Sequence, residues 1–201
     1  MESDCEFPPF ESTSRMNGSL LLWGGLAVAV FWSVGVYNRL MRMRARALDA
    51  LGSVEKYMRK YASLVETHLT APGAIASRSG GDFADASPWQ EWAALQTALL
   101  DMEQALKEAR AASLRIAPVN RLGAGFDAVQ NAWQALCDLP ADLAGPAVPD
   151  ILRLQWDAIT AKAQTARGGL NQILTKYNEA IHQFPARLVA GAMRFEPAGL
   201  M

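Results

Sequence analysis

The chain of 201 residues has only two cysteines, Cys5 and Cys137, and two histidines, His68 and His182. Two cysteines cannot build a disulfide framework and fall short of a structural metal cluster. Charge is also scarce, at 19% of residues with a net of -1. Without a basic field the chain lacks the electrostatic footprint of a nucleic-acid binder, so no nucleic-acid partner is expected. The low hydrophobicity and high net charge of a disordered chain are missing too. No stretch alternates polar and apolar residues over strand length, which argues against half-buried strands. The run Leu122-Gly123-Ala124-Gly125 lacks the Lys-Ser/Thr ending of a phosphate loop. What the chain has in excess is apolar residues. Counting glycine and leaving out tyrosine, they make up about 56%, above the ~45–50% of ordinary soluble domains.

The excess has a location. Residues 16–38 contain no charged side chain. At 1.5 Å per residue that length reaches about 35 Å, enough for a hydrocarbon core of about 30 Å. Trp32 and Tyr37 lie toward the end of the run, where amphipathic rings favour the membrane interface. The preceding flank is acidic, with Glu2, Asp4, Glu6 and Glu11 against Arg15. A cleaved export signal prefers a basic flank, whereas this one is acidic, and no clear A-x-A cleavage site follows the run. The reading is therefore a transmembrane anchor. Past it come Arg39, Arg42, Arg44 and Arg46 with no acid before Asp49. Cationic flanks stay in the cytoplasm, which predicts an N-terminus outside and a body inside. Arg39, Arg42 and Arg46 share a helical face and could also meet anionic lipid headgroups. Within the span, Gly25, Ala29 and Ser33 recur every four residues. That spacing lets two membrane helices approach closely, a route to a homo-oligomer, although it also arises by chance in apolar segments.

After the span the periodicity is helical. Leu40, Met43, Ala47, Leu51, Val54 and Met58 open a stripe that continues to Tyr61 and Val65, stepping by three and four. Nothing between Tyr37 and Leu40 breaks the helix. Residues 70–86 read as a flexible connection rich in Gly, Ser and Ala. Ser87-Pro88-Trp89-Gln90 then reads as an N-cap with Pro at the first helical position. This second helix carries Trp92, Leu95, Leu99, Met102, Leu106 and Ala109 inward and ends before Pro118. A third helix is expected over roughly 120–138, with Phe126, Val129, Trp133 and Leu136 inward. Pro149 opens a fourth, whose stripe runs from Leu152 and Trp156 through Leu170 and Tyr177 to Phe184. Gly168-Gly169 is expected to bend it locally, and Pro185 to end it or start a new short segment. The fold expected is all-α: an N-terminal transmembrane helix followed by an up-down four-helix bundle of long helices. The expected divisions are an acidic non-cytoplasmic tip (1–15), the span (16–38), the bundle (39–185) and an apolar C-terminal tail (186–201). The tail, with Leu188, Val189, Met193 and Phe195 beside Arg187 and Arg194, suits either membrane contact or packing on the bundle end.

Two stretches carry a family resemblance. Tyr37-Asn38-Arg39-Leu40 directly follows the span. Later come Leu154-Gln155, Ala166-Arg167, Leu170-Asn171, Tyr177-Asn178, Phe184-Pro185 and Leu188-Val189-Ala190 in order. Together with Leu139-Pro140 and Leu143, they resemble the LemA family over about half of the chain. The sequence departs from that family's pattern at Leu51, Glu55, Tyr61, Ser63, Glu66 and Leu170, as a divergent member would. The resemblance implies a membrane-anchored helical body in the cytoplasm at a bacterial inner membrane, and no defined reaction.

Asn171 and Asn178 lie seven residues apart on the fourth helix and share a face. Asn is a poor helix former unless its amide finds a partner, so these two, with Tyr177, Phe184 and Pro185, read as interhelical sites that fix register. Catalytic signals are weak. Glu179 and His182 make one Glu-x-x-His copy where a carboxylate-bridged metal in a bundle needs two. Glu55 and Asp157 could face each other, but lack the remaining ligands. Cys137 reads as a small core residue, since no His neighbours it in sequence. No cofactor or metal is expected. The leading expectation is a scaffold or adaptor without catalytic activity that binds other membrane or membrane-associated proteins. The alternative is a lipid-binding or membrane-remodelling protein using the juxtamembrane arginines and the tail.

Overall fold

The computed structural model describes residues 13–70, 88–140 and 146–201. The acidic tip with Cys5, the Gly/Ser-rich connection ending at Ser87, and Leu143 lie outside the described residues. Among the described residues there are five helices and no strand: α1 (Thr13–Thr70), α2 (Pro88–Ala111), α3 (Ile116–Cys137), α4 (Asp150–His182) and the short α5 (Ala186–Ala192).

α1 is one helix of 58 residues. Its apolar stretch is long enough to cross a membrane, with an 18-residue window of mean hydropathy 1.9 and none of that window buried. Beyond it the same helix becomes amphipathic. Leu40, Ala47, Leu51, Val54, Tyr61 and Val65 are all buried, as their spacing predicts. The stripes on α2 and α3 are buried in the same way, from Trp92 to Ala109 and from Phe126 to Leu136.

α3 begins at Ile116, four residues earlier than its periodicity suggests, with Pro118 inside its first turn. Proline is tolerated there because the first helical N–H groups have no intrahelical acceptor. Side-chain contacts join each helix of the body to its neighbours. Glu55 of α1 meets Arg110 of α2, and Glu108 of α2 meets Arg121 of α3. Asp127 of α3 meets Arg167 of α4, and Tyr61 of α1 meets Thr160 of α4. The backbones of α2 and α3 approach closely at Gly125, where an added Cβ would lie 3.3 Å from the Met102 Cα.

The middle of the core is aromatic. Trp133 of α3 stacks on Trp156 of α4 at 4.1 Å between centroids and 8° between planes. Tyr61 also packs against Trp156, tilted by 47° at 4.3 Å between centroids. The Tyr61 hydroxyl donates to Thr160 Oγ1 at 2.8 Å and accepts from Gln130 Nε2 at 3.2 Å, so one side chain joins three helices. Burial pushes the Tyr61 phenol above its usual pKa, against those two hydrogen bonds.

Two features of α4 bear on the expectation. The helix runs through Gly168-Gly169 without a break; both glycines are exposed, and Ala163, Leu170 and Leu174 anchor it on either side. It ends at His182. The stripe therefore stops before Phe184, whose ring is 82% exposed rather than packed between helices. Phe184 and Pro185 instead form the corner leading into α5. The expected interhelical contact of Phe184 is corrected on this point.

Candidate functional site

The base of the body, beside the end of the apolar stretch of α1, gathers segments from the whole chain. α5 packs there against α1 and α4. It splits the two readings of the tail by residue. Val189 and Ala190 are buried, whereas Leu188 and Met193 are exposed. After α5 the chain is extended, and the Phe195 ring meets Tyr37 of α1 edge-on at 5.8 Å.

The asparagines hold this extended segment rather than another helix. The Asn178 amide donates to the Ala198 carbonyl at 2.9 Å and accepts from the Ala198 N–H at 2.8 Å. Asn171 repeats the pattern with Met201, at 2.8 and 2.9 Å. The repeat has a geometric cause. Seven helical residues rise about 10.5 Å, and three extended residues span about 10 Å. The i, i+7 spacing on α4 thus matches positions 198 and 201. Tyr177 adds a hydrogen bond from its hydroxyl to the Glu196 carbonyl at 3.0 Å. On the opposite side, Gly199 N–H donates to the Leu114 carbonyl at 3.3 Å, and Ala198 bridges Arg115 in antiparallel fashion. A Cβ at Gly199 would sit 2.6 Å from the Ile116 carbonyl oxygen, so only glycine allows this approach. The register the asparagines fix is that of the C-terminal segment.

A cleft of about 290 Å³ opens between α1, the α2–α3 turn, α4 and this segment. Arg44, Arg115 and Arg194 line it together with Glu196, Leu114 and Tyr177. Arg115 pairs with Glu196 at 3.0 Å. Burial raises the Tyr177 phenol pKa, and the positive charge of Arg44 opposes that shift.

Two of its walls are helix C-caps of one kind. Ser113 N–H bonds the Arg110 carbonyl and Leu114 N–H bonds the Ala109 carbonyl. At the end of α5, Arg194 N–H bonds the Gly191 carbonyl and Phe195 N–H bonds the Ala190 carbonyl. Both are Schellman motifs, whose left-handed position glycine usually fills. Here it is filled by Ser113 (φ 54°) and Arg194 (φ 54°), and Leu114 follows at φ 68°. Each such residue costs on the order of 1–2 kcal/mol.

The other residues singled out from the sequence are scattered. Arg39, Arg42 and Arg46 are exposed, and Arg44 alone of the four turns into the cleft. Gly25 has open space around it, and the Ser33 hydroxyl donates to the Ala29 carbonyl within its own helix at 2.7 Å. Glu55 pairs with Arg59 and Arg110, not with Asp157. His68 stacks on Trp92 at 5.0 Å, and burial lowers its pKa. Cys137 is half-buried against the core, and burial pushes its thiol up. Among the described residues no group of three His, Cys, Asp or Glu side chains is placed to hold a metal ion. Arg115 and Glu196 carried no signal in the sequence, because the cleft is assembled from four segments far apart in the chain.

No protein-family model, curated protein or solved structure matches this chain.

Proposed function

We propose that this protein is a membrane-anchored helical scaffold without catalytic activity, a divergent relative of the LemA family that presents an up-down four-helix bundle at the cytoplasmic face of a bacterial inner membrane. The observation that carries the reading is the change of character within α1. Its apolar window is wholly exposed, and the same unbroken helix then supplies a buried face of the body. Exposed apolar surface on that scale is at home in lipid. The arginines directly after residue 38 favour a cytoplasmic body. The LemA reading rests on the ordered residue pairs from Tyr37-Asn38 to Phe184-Pro185. Leu100, Ile151 and Leu154, which are 67, 63 and 67% exposed, are apolar positions where a protein partner would dock.

The experiment is photo-crosslinking in the native membrane from positions 100, 151 and 154. Discrete protein adducts that persist across positions support the scaffold. Adducts with lipid alone overturn it in favour of a lipid-binding or remodelling role for the juxtamembrane arginines and the tail. A reporter fused after Met201 that is active only outside the cytoplasm overturns the orientation.

A further inference from the structure

We propose that the cleft framed by Arg44, Arg115 and Arg194 binds a phosphate oxyanion, carried by the headgroup of an anionic phospholipid. The lipid source rests on residues 16–38 spanning a membrane; the oxyanion site itself does not.

The charge is unbalanced in the direction an anion needs. Three guanidinium groups face one carboxylate, Glu196, and Arg115 takes that carboxylate at 3.0 Å. Arg44 and Arg194 have no ion-pair partner among the described residues. Planar guanidinium groups recognise phosphate through paired N–H donors. The cleft volume, about 290 Å³, approaches the lower end of the ~300–1,000 Å³ typical of ligand sites.

The cleft is also held in place at a conformational cost. Arg194 occupies the left-handed position of a Schellman cap, where glycine would be less strained. An arginine there places a guanidinium at the cleft that glycine could not supply. The opposite wall repeats the strain at Ser113 and Leu114. Strained backbone clusters where structure serves a site. The segment bearing Arg194 and Glu196 is fixed by the Tyr177 and Asn178 hydrogen bonds, so the charges are preorganised.

The height is right for a headgroup. Arg44 lies six residues past Asn38, about 9 Å along the helix axis. Its side chain leans toward the helix N-terminus, back toward the span. The headgroup layer occupies about 5–8 Å on each side of the hydrocarbon core. Phe184, Leu188 and Met193, exposed by 82, 65 and 57%, supply apolar surface at the same base for the acyl chains. Met193 adjoins Arg194 directly.

The test uses the full-length chain in mixed micelles holding equal phosphatidylglycerol and phosphatidylcholine, with retained lipid counted by native mass spectrometry. The wild type is expected to retain phosphatidylglycerol about tenfold over phosphatidylcholine, and Arg44→Gln or Arg194→Gln to remove that preference. Lys176→Gln, an exposed cation at the same height on α4, is expected to keep it. Arg194→Gly separates binding from folding: it should lose the lipid while holding or raising the thermal midpoint. In a parallel arm, inorganic phosphate that displaces the retained lipid, or that binds the wild type and not Arg194→Gln, supports the oxyanion site with a soluble source. Equal retention of the two lipids with no phosphate binding overturns the proposal. So does a loss in Lys176→Gln equal to that in Arg194→Gln. Alkaline carbonate extraction reads the anchor separately. Release from the membrane overturns the span, and the phosphate arm still decides the site.

Discussion

Asn178 and Ala198 exchange two hydrogen bonds, with the side-chain amide of one pairing both backbone groups of the other as a neighbouring strand would. An asparagine on a helix thereby acts as one rung of a ladder for an extended chain. Asn178→Ala leaves both groups of Ala198 without partners in a partly buried place. The expected loss is about 1–3 kcal/mol, read as a lower denaturation midpoint. Amide exchange should accelerate at 196–201. Asn178→Asp should be no better, because a carboxylate cannot donate to the Ala198 carbonyl. Combining Asn171→Ala with Asn178→Ala should cost less than the sum, since the first loss already frees the shared segment.

Trp156 tests the aromatic core. Its indole N–H is buried with no hydrogen-bond partner among the described residues, so the ring contributes through packing on Tyr61 and Trp133. Trp156→Ala should cost about 3–5 kcal/mol. Trp156→Phe should cost clearly less, since no hydrogen bond is lost with the nitrogen. Chemical denaturation of the two variants checks the order.

Alkaline pH should weaken the fold through Tyr61 and Tyr177. Burial raises both phenol pKa values above the usual 10.0. The folded state then keeps protons that the unfolded chain releases. This contribution is complete below pH 10 and is lost as pH rises from 10 through the folded-state values. The midpoint measured between pH 8 and 11 should fall at the upper end. In Tyr61→Phe the fall should be shallower.

Acid should act through His68 with the opposite sign. Burial beside Trp92 lowers its pKa below 6.5, so the unfolded chain takes up the proton first. The contribution is present above pH 6.5 and is lost as pH falls through the folded-state value. His68→Phe should flatten that part of the pH–stability curve.

The glycines divide by their surroundings. Gly168→Ala meets open space on an exposed helix face and should stabilise the protein by about 0.5–1 kcal/mol. Gly125→Ala gains the same propensity, but its Cβ meets the Met102 backbone at 3.3 Å. It should be neutral or destabilising. Paired thermal melts check the contrast.

The sequence was informative wherever a structural rule repeats locally. A stripe such as Leu51, Val54, Met58 and Tyr61 states its own buried face, because a helix returns to the same side every 3.6 residues. Pro88 marked a helix start for an equally local reason. The pairing of Asn171 and Asn178 was visible, but not its partner. Helices advertise themselves by period, whereas the extended segment 196–201 has none, and backbone groups leave no mark in side-chain identity. The apolar spacing runs on to Phe184 although the helix ends at His182, because periodicity does not say where a helix stops. The cleft was hidden for a deeper reason. Arg44, Arg115 and Arg194 meet only once three distant segments are folded together, and nothing near any one of them announces the others.

The continuity of α1 has a mechanical consequence. From Asn38 to Thr70 the helix extends about 50 Å beyond the apolar stretch, with no hinge between the two parts. With residues 16–38 in a bilayer, the body is the long arm of a lever whose short arm is set by lipid. A change of about 20° in tilt, within the range that bilayer thickness imposes on single helices, would swing the far end at Thr70 by about 17 Å. A thicker or thinner membrane would thus be reported at a distance, as a change in where the outer end of the body is held.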